Sequence, residues 1–306
     1  YENTIGDAHP AFGDAMCRLA DTYAGRGAYQ PAQSLYEQAI DILKKVLDKD
    51  DPVLASKHEK AARLYILTGD NEKAEKHFQK TLDIYRKVYD LKSQEVAQIQ
   101  NDLGEIFLAE GKFREAGEVL EKALATREEL LDENHPALAQ SLNNMAILNE
   151  HMGDLKKAAE MHERSLRIRR AAFGDRHPAV TQSLENLAAV YEAQNKLQEA
   201  EDLLRESVSI WEEYAGEDYP AAAQARFNLG TILFMRAKYR ESLRTIESAR
   251  AVMESHLGQD NPDMAVVYKA LATVNKKLNN KEEAEKYNAM FDRINPYKDQ
   301  KSEDNS

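Results

Sequence analysis

Residues 136–178 read PALAQSLNNMAILNEHMGDLKKAAEMHERSLRIRRAAFGDRHP and contain the pattern on which the whole chain is built. Apolar residues recur at short, helix-like spacings on both sides of Gly153, as in two helices that each bury one face. Pro136 suits the first turn of a helix, where its missing N–H leaves no hydrogen bond unmade. Gly174 suits a helix end, because glycine adopts the left-handed cap conformation. The segment therefore predicts two amphipathic helices joined at Gly153.

The pattern recurs every 42 residues along the sequence. Six of the seven repeat starts are proline, and the position ten residues after each start is always alanine or glycine. Small residues at fixed places let two helices approach closely, so this column has a packing cause. A fixed period of about 20–50 residues is the signature of a repeat solenoid. The repeats start near residues 10, 52, 94, 136, 178, 220 and 262.

The order of the columns resembles the tetratricopeptide repeat. Residues 19–40, LADTYAGRGAYQPAQSLYEQAI, carry its succession of Leu-Ala, Tyr, Gly, Ala, Tyr and Ala. The usual repeat has about 34 residues, and the longer unit here, with His-Pro at 135–136 and 177–178, is similar to the repeats of kinesin light chain and its relatives. The resemblance implies an all-α fold, a right-handed superhelical solenoid of about seven antiparallel helix pairs.

The repeats predict one elongated domain over residues 10–295. Residues 1–9 align with the end of a repeat, since YENTIGDAHP matches RRAAFGDRHP, so we expect the tail of a preceding repeat there. This alignment suggests that the chain is a fragment or a processed form. Residues 296–306 are polar, and we expect them to be disordered.

The composition narrows the class of partner and compartment. A net charge of −12 and a pI of about 5.3 argue against nucleic acid, whose binding needs a basic surface. No sequence segment approaches the roughly 18 consecutive apolar residues of a membrane span. Cys17 is the sole cysteine, so no intrachain disulfide forms. We expect a soluble protein in a reducing compartment, cytoplasmic or inside an organelle, without membrane insertion.

The sequence contains no motif for catalysis, phosphate binding or metal binding. His9, His135 and His177 occupy equivalent loops. Such loops lie at least roughly 10 Å apart, whereas metal–ligand bonds measure about 2 Å, so one ion does not bridge them. We therefore expect no enzyme activity, no metal and no cofactor.

The resemblance implies that the first helix of each pair lines a concave, partner-binding groove. At these positions repeats three to six carry columns of amide side chains, with two phenylalanines in repeat six. Amides donate and accept hydrogen bonds, so they can hold an extended peptide by its backbone, while aromatic rings receive apolar anchors. The predicted binding residues are Gln98, Asn101, Gln140, Asn143, Asn144, Gln182, Asn186, Gln224, Phe227, Asn228 and Phe234.

We therefore predict a non-enzymatic interaction module that binds a protein or peptide segment. Kinesin-light-chain grooves take acidic peptides that contain tryptophan, whereas Glu59, Asp102 and Glu105 favour a basic segment here. No groove lysine is followed by asparagine four residues later, which excludes the binding of chaperone C-terminal tails.

Several alternatives stay open. The amides can serve only to pack repeats together. The chain can be a regulatory or sensor region of a larger protein, or a self-assembling scaffold. The basic residues Arg164, Arg167, Arg169 and Arg170, extended by Arg127, form either a solvated face or a patch for an acidic segment.

Overall fold

The computed structural model describes residues 9–295, and this part of the chain consists of helices and short connections without a strand. Residues 1–8 and 296–306 lie outside the described range, so the predictions made for the two ends stay predictions. Fourteen helices occupy the described range: α1 Pro10–Gly25, α2 Tyr29–Val46, α3 Pro52–Leu67, α4 Asn71–Val88, α5 Gln94–Ala109, α6 Phe113–Leu130, α7 Pro136–His151, α8 Leu155–Phe173, α9 Pro178–Ala193, α10 Leu197–Ala215, α11 Pro220–Met235, α12 Tyr239–Leu257, α13 Met264–Lys277 and α14 Lys281–Ile294.

The histidines before proline are helix N-caps. The Nδ1 atoms of His9, His135 and His177 accept hydrogen bonds of 3.0–3.1 Å from the backbone N–H two residues later. Asp51 caps α3 in the same way through its carboxylate. An N-cap acceptor satisfies one of the N–H groups that the first helical turn leaves without a partner. The His-Pro pairs of the sequence are therefore helix starts.

The seventh repeat starts differently from the pattern. Its first helix begins at Met264, two residues after Pro262, and has 14 residues where the other first helices have 16. The side chain of Asn261 accepts a hydrogen bond of 2.9 Å from the N–H of Asp263. The same contact caps other first helices at the proline, so it does not account for the later start. The N–H of Ala265 donates to the carbonyl of Pro262 at 3.0 Å, so a turn precedes the helix.

The described residues form two compact units. Unit 1 comprises α1–α7 and ends at Gly153, and unit 2 comprises α8–α14 and begins at Asp154. In unit 1 the two helices of each of the pairs α1–α2, α3–α4 and α5–α6 pack against each other, successive pairs pack on one another, and α7 packs on α6. The same arrangement holds for the three pairs α9–α10, α11–α12 and α13–α14 of unit 2. No helix within residues 9–295 is long and apolar enough to cross a membrane.

The small-residue column lies where the helices of a pair cross closest. A Cβ atom built on Gly104 falls 2.3 Å from Cδ2 of Leu120, and one on Gly230 falls 2.3 Å from Cγ1 of Ile246. The first glycine lies on α5 and the second on α11, and the facing side chain lies on the partner helix in both pairs. A side chain of the second helix therefore fills the space that the missing Cβ leaves.

We predict that Gly104→Ala destabilises unit 1 by about 1–3 kcal/mol, because overpacking displaces Leu120 in a filled core. Urea denaturation followed by circular dichroism measures this change. Gly117→Ala is the matched control. Gly117 lies in the interior of α6, and its nearest neighbour for an added Cβ is Leu148 at 3.5 Å. Helix propensity alone should then raise stability by up to about 1 kcal/mol. A Gly104→Ala protein as stable as the parent would show that this contact does not limit the packing.

Candidate functional site

Several of the predicted binding amides of unit 1 bond to one another and to Glu105: Asn101 and Asn144 are buried, Gln140 is half-buried and Glu105 is exposed. Asn101 is fully buried, and its Oδ1 accepts hydrogen bonds of 3.2 Å from Ser141 Oγ and from Asn144 Nδ2. Glu105 accepts from the amides of Asn101, Gln140 and Asn144, at 3.2, 3.2 and 2.8 Å. The side chains of this cluster connect α5 to α7. They therefore have a packing role between repeats, and contact with a partner peptide stays a prediction.

Arg127 lies at the centre of the same region and is fully buried. Its Nη1 donates to the carbonyl of Ala137 and to Ser141 Oγ, both at 2.8 Å, and its Nη2 donates to Gln98 Oε1 at 2.7 Å. Burial lowers the pKa of this guanidinium. The amide of Gln98 in turn donates to Asp102 at 2.8 Å. Arg127 thus fixes which end of the Gln98 amide faces Asp102.

Sequence reasoning missed this role of Arg127. The residue 33 positions after the repeat start is apolar or aromatic in four of the seven repeats, arginine in repeats three and four, and asparagine in repeat seven: Leu43, Tyr85, Arg127, Arg169, Trp211, Met253 and Asn295. A cation in a column of packed side chains is the signal that could have identified a buried polar contact.

Asp102 of unit 1 is a buried carboxylate close to several charged side chains. Its Oδ2 pairs with Arg63 at 2.7 Å, and that guanidinium also contacts Glu59 at 3.0 Å. Burial raises the pKa of Asp102 to about 6, which the Arg63 pair opposes and the nearby Glu105 charge favours. Arg63 is therefore shared between two carboxylates, and ionisation of the buried Asp102 lowers the stability of the folded state.

In unit 2 the predicted amides are more accessible. Gln182 and Gln224 are exposed, and Asn186 and Asn228 are half-buried. Arg169 Nη1 donates to Gln182 Oε1 at 2.8 Å and to the carbonyl of Ala179 at 3.0 Å. Because the oxygen of Gln182 accepts from Arg169, the NH2 group is the end of this amide that points away from Arg169.

Two of the basic residues of α8 are bonded to other helices of unit 2. Arg169 is bonded to α9, and Arg170 Nη2 contacts both carboxylate oxygens of Glu206, at 2.8 and 2.7 Å. These two arginines therefore tie α8 to its neighbours within unit 2, and the interpretation of this run as one solvated face is wrong for both.

Unit 2 contains an open apolar cavity of about 970 Å³. Phe227 and Phe234, the two predicted aromatic anchors, both line it and are half-buried. The cavity extends along two first helices, α11 and α13, and reaches the end of α14. Its other principal lining residues are Thr231, Met235, Val266, Lys269, Phe291 and Asp292.

The charged residues at this cavity are few and of both signs. Lys269 and Asp292 are exposed, and the ammonium group of Lys269 lies 4.8 Å from the ring centroid of Phe291. A cation over an aromatic face is attracted by the ring electrons. The cavity is thus an apolar surface with one cation and one anion at its lining, which suits an apolar group more than a charged one.

The described residues offer little for covalent or metal chemistry. Burial raises the pKa of the Cys17 thiol to about 11, so the thiolate that would act as a nucleophile is disfavoured. Within residues 9–295 no group of three or more His, Cys, Asp or Glu side chains is placed to hold a metal ion.

Models of the tetratricopeptide repeat match most of the sequence. One model matches residues 52–129, 95–171, 138–213, 180–255 and 222–289, and a second matches residues 13–53. No curated protein sequence matches the chain.

Solved structures with the same fold include a protein of kinesin light chain type with nearly identical TPR-like repeats from Podosopora anserina. It is 26% identical with a TM-score of 0.57, and the alignment covers 68% of this chain and 98% of that one. BtubC (BKLC) from P. vanneervenii is 22% identical with a TM-score of 0.58, covering 83% and 91%. The apo form of RapI is 18% identical with a TM-score of 0.71, covering 94% and 99%. The last two likenesses concern the fold alone.

We predict that Asp102→Asn stabilises unit 1 at pH 7.5, by up to about 3 kcal/mol for a pKa displaced by about two units. Asparagine is also the residue of this column in repeats four to six. The sign follows from the raised pKa: the ionised carboxyl destabilises the folded state above pH 6, and this penalty disappears as the folded carboxyl takes up a proton. The gain of the variant should therefore shrink as pH falls from 7.5 to 5, in urea titrations at each pH.

The exposed Asp132→Asn is the control for removing one negative charge from unit 1. A stability gain for Asp102→Asn that does not change with pH would contradict this account of the carboxyl.

Proposed function

Because the chain belongs to the tetratricopeptide repeat family, with repeats of the kinesin-light-chain-like class, we propose that it is a protein-interaction module whose partner segment binds along the first helices of unit 2. The family fold is a protein-interaction scaffold. The observation that carries the proposal is the apolar cavity lined by Phe227 and Phe234.

The cavity has the properties of a site for an apolar anchor. Its volume of about 970 Å³ lies at the upper end of the roughly 300–1,000 Å³ range of ligand pockets. Its walls expose aromatic and aliphatic carbon, including Met235 and Val266, which are 46% and 59% exposed. Covering apolar surface contributes about 25 cal/mol per Å². A partner side chain in this cavity is therefore the main source of affinity.

The accessible amides of unit 2 fix the orientation of the partner segment more than they contribute to its affinity. With its oxygen held by Arg169, Gln182 offers N–H donors to backbone carbonyls of a partner. Gln224 Nε2 donates to Asn228 Oδ1 at 3.1 Å, which leaves the oxygen of Gln224 as an acceptor for a partner N–H. A neutral hydrogen bond of this kind contributes about 0.5–1.5 kcal/mol.

The negative net charge of the protein indicates which charge its partner segment carries. With a net charge of −12, and with Glu59 and Glu105 on the first helices of unit 1, a segment that also carries basic residues is favoured over an acidic one. This attraction acts between exposed charges and is screened over about 8 Å at physiological salt.

We predict that Phe234→Ala weakens binding of the partner by 2 kcal/mol or more, roughly 30-fold, as loss of a buried aromatic anchor does. Gln182→Ala should weaken binding by only about 0.5–1.5 kcal/mol. Affinity capture with mass spectrometry identifies the partner, and isothermal calorimetry on the purified pair measures both changes.

Phe107→Ala is the matched control, since Phe107 is a half-buried phenylalanine of unit 1 that does not line the cavity. Circular dichroism verifies that the variants keep their helix content. If Phe234→Ala binds like the parent while changes at Arg164 and Arg167 abolish binding, the partner uses the face of α8 instead.

A further inference from the structure

Two columns of the repeat lie six and twenty-five residues after the repeat start, one on each helix of a pair, and both are apolar or aromatic in repeats one, four, five and seven. In repeat one they hold Met16 and Leu35, which both pack against the core of unit 1. In repeat seven they hold Tyr268 and Tyr287, whose rings stack at 6.2 Å. Repeat two departs from this pattern because both positions are histidine.

These histidines, His58 on α3 and His77 on α4, are buried and in contact. They are 5% and 9% exposed, and their Nδ1 atoms lie 2.9 Å apart. His77 Nε2 lies 3.0 Å from Glu37 Oε1, and the hydroxyl of Tyr65 donates to the same oxygen at 2.8 Å. Glu37 belongs to α2, so the cluster joins repeat two to repeat one.

The contact between the two Nδ1 atoms limits how many protons the pair can hold. Because the carboxylate of Glu37 only accepts, His77 Nε2 carries a proton. When both rings are neutral, a second proton lies on His58 Nδ1, which donates to His77 Nδ1. The pair takes up a third proton by reversing this hydrogen bond. His77, now protonated on both nitrogens, then donates from Nδ1 to His58 Nδ1, and His58 stays neutral with its proton on Nε2. A fourth would place two N–H groups against each other at 2.9 Å.

The surroundings add to this constraint. The charged groups that face the pair are Glu37 and Lys44 on α2, and Lys73 and Lys80 on α4, while α3 contributes the neutral hydroxyl of Tyr65. Burial, the other ring and the two nearest lysines lower the pKa of His58 to about 3. Burial also lowers the pKa of His77, although Glu37 opposes the change.

We propose that the His58–His77 pair makes repeat two an acid-sensitive element, in which mild acidification releases α4 from α3 and loosens the packing of this repeat within unit 1. The balance of protons sets the direction. A histidine whose pKa is lower in the folded than in the unfolded chain stabilises the fold above its unfolded pKa of about 6.5, and this contribution is lost as pH falls below that value. The folded pair takes up fewer protons than the two free rings of the opened state, so acid favours opening.

Amide hydrogen exchange tests the proposal on the whole chain. After correction for the intrinsic pH dependence of exchange, the opening equilibrium of α3 and α4 should increase between pH 7.5 and 5.5. The histidine that stays neutral in the folded state accounts for an increase of about tenfold, and the second histidine adds a smaller one. Helices α10 and α11 contain no histidine and have no histidine N-cap, so they serve as the internal reference.

The double variant His58→Leu and His77→Leu restores residues that repeat five holds at these positions, Leu184 and Leu203. In this variant the opening of α3 and α4 should no longer increase at pH 5.5. Protonation of Asp102 acts in the opposite direction and is common to the parent and the variant. His151→Gln removes an exposed histidine of unit 1 and should leave the acid response unchanged. Equal acid responses in the parent and the double leucine variant would overturn the proposal.

A second measurement needs no variant. Long-range ¹H–¹⁵N correlation spectra of the folded protein should show one protonated and one unprotonated Nδ1 in this pair at pH 7, and should show the His58 ring still neutral at pH 5.5. If both rings instead titrate in the folded state near the unperturbed value of about 6.5, the pair excludes no proton and the proposal fails.

Discussion

The close approach of two helices at an alanine or glycine is the constraint on which the rest of the structure depends. At Gly104 and Gly230 a side chain of the second helix occupies the space where a Cβ would be. This contact sets the register within a pair. Since each pair then repeats after 42 residues, the same faces of the first helices follow one another along a unit. The register set by this column of small residues therefore determines which first-helix residues can face a partner.

The two units use equivalent first-helix positions for different chemistry. In unit 1 amides, carboxylates and a buried arginine form a network in which Asn101 and Asn144 bond to one another and to Glu105. In unit 2 equivalent positions hold Phe227, Val266 and Ala270, which line an apolar cavity. A satisfied polar network specifies how neighbouring helices pack, whereas an apolar cavity with few polar groups in its lining has the character of the binding site that we propose. The repeat pattern is thus compatible with both a structural and a binding role.

The sequence predicts much of the helical architecture, because prolines, capping residues and small residues act locally and recur at one period. The helix starts at Pro136 and Pro178 and the lining position of Phe234 follow from that register. The delayed start at Met264 does not, since Pro262 and the capping contact of Asn261 match those of other repeats and predict a start at Pro262. Arg127 and the His58–His77 pair escape prediction for a different reason. The repeat register predicts the helix face on which a side chain lies, but it does not predict which groups of the next repeat a long or polar side chain contacts.

The most direct test of the central claim, that the partner lies in the apolar cavity of unit 2, is site-specific photo-cross-linking. A benzophenone amino acid replaces Val266, which is exposed at the cavity, or Arg114, which is exposed on α6 of unit 1. Mass spectrometry then locates the cross-linked residues of the partner. The account predicts abundant cross-links from position 266 to one apolar segment of the partner and none from position 114. Cross-links from position 114 without any from position 266 would contradict it.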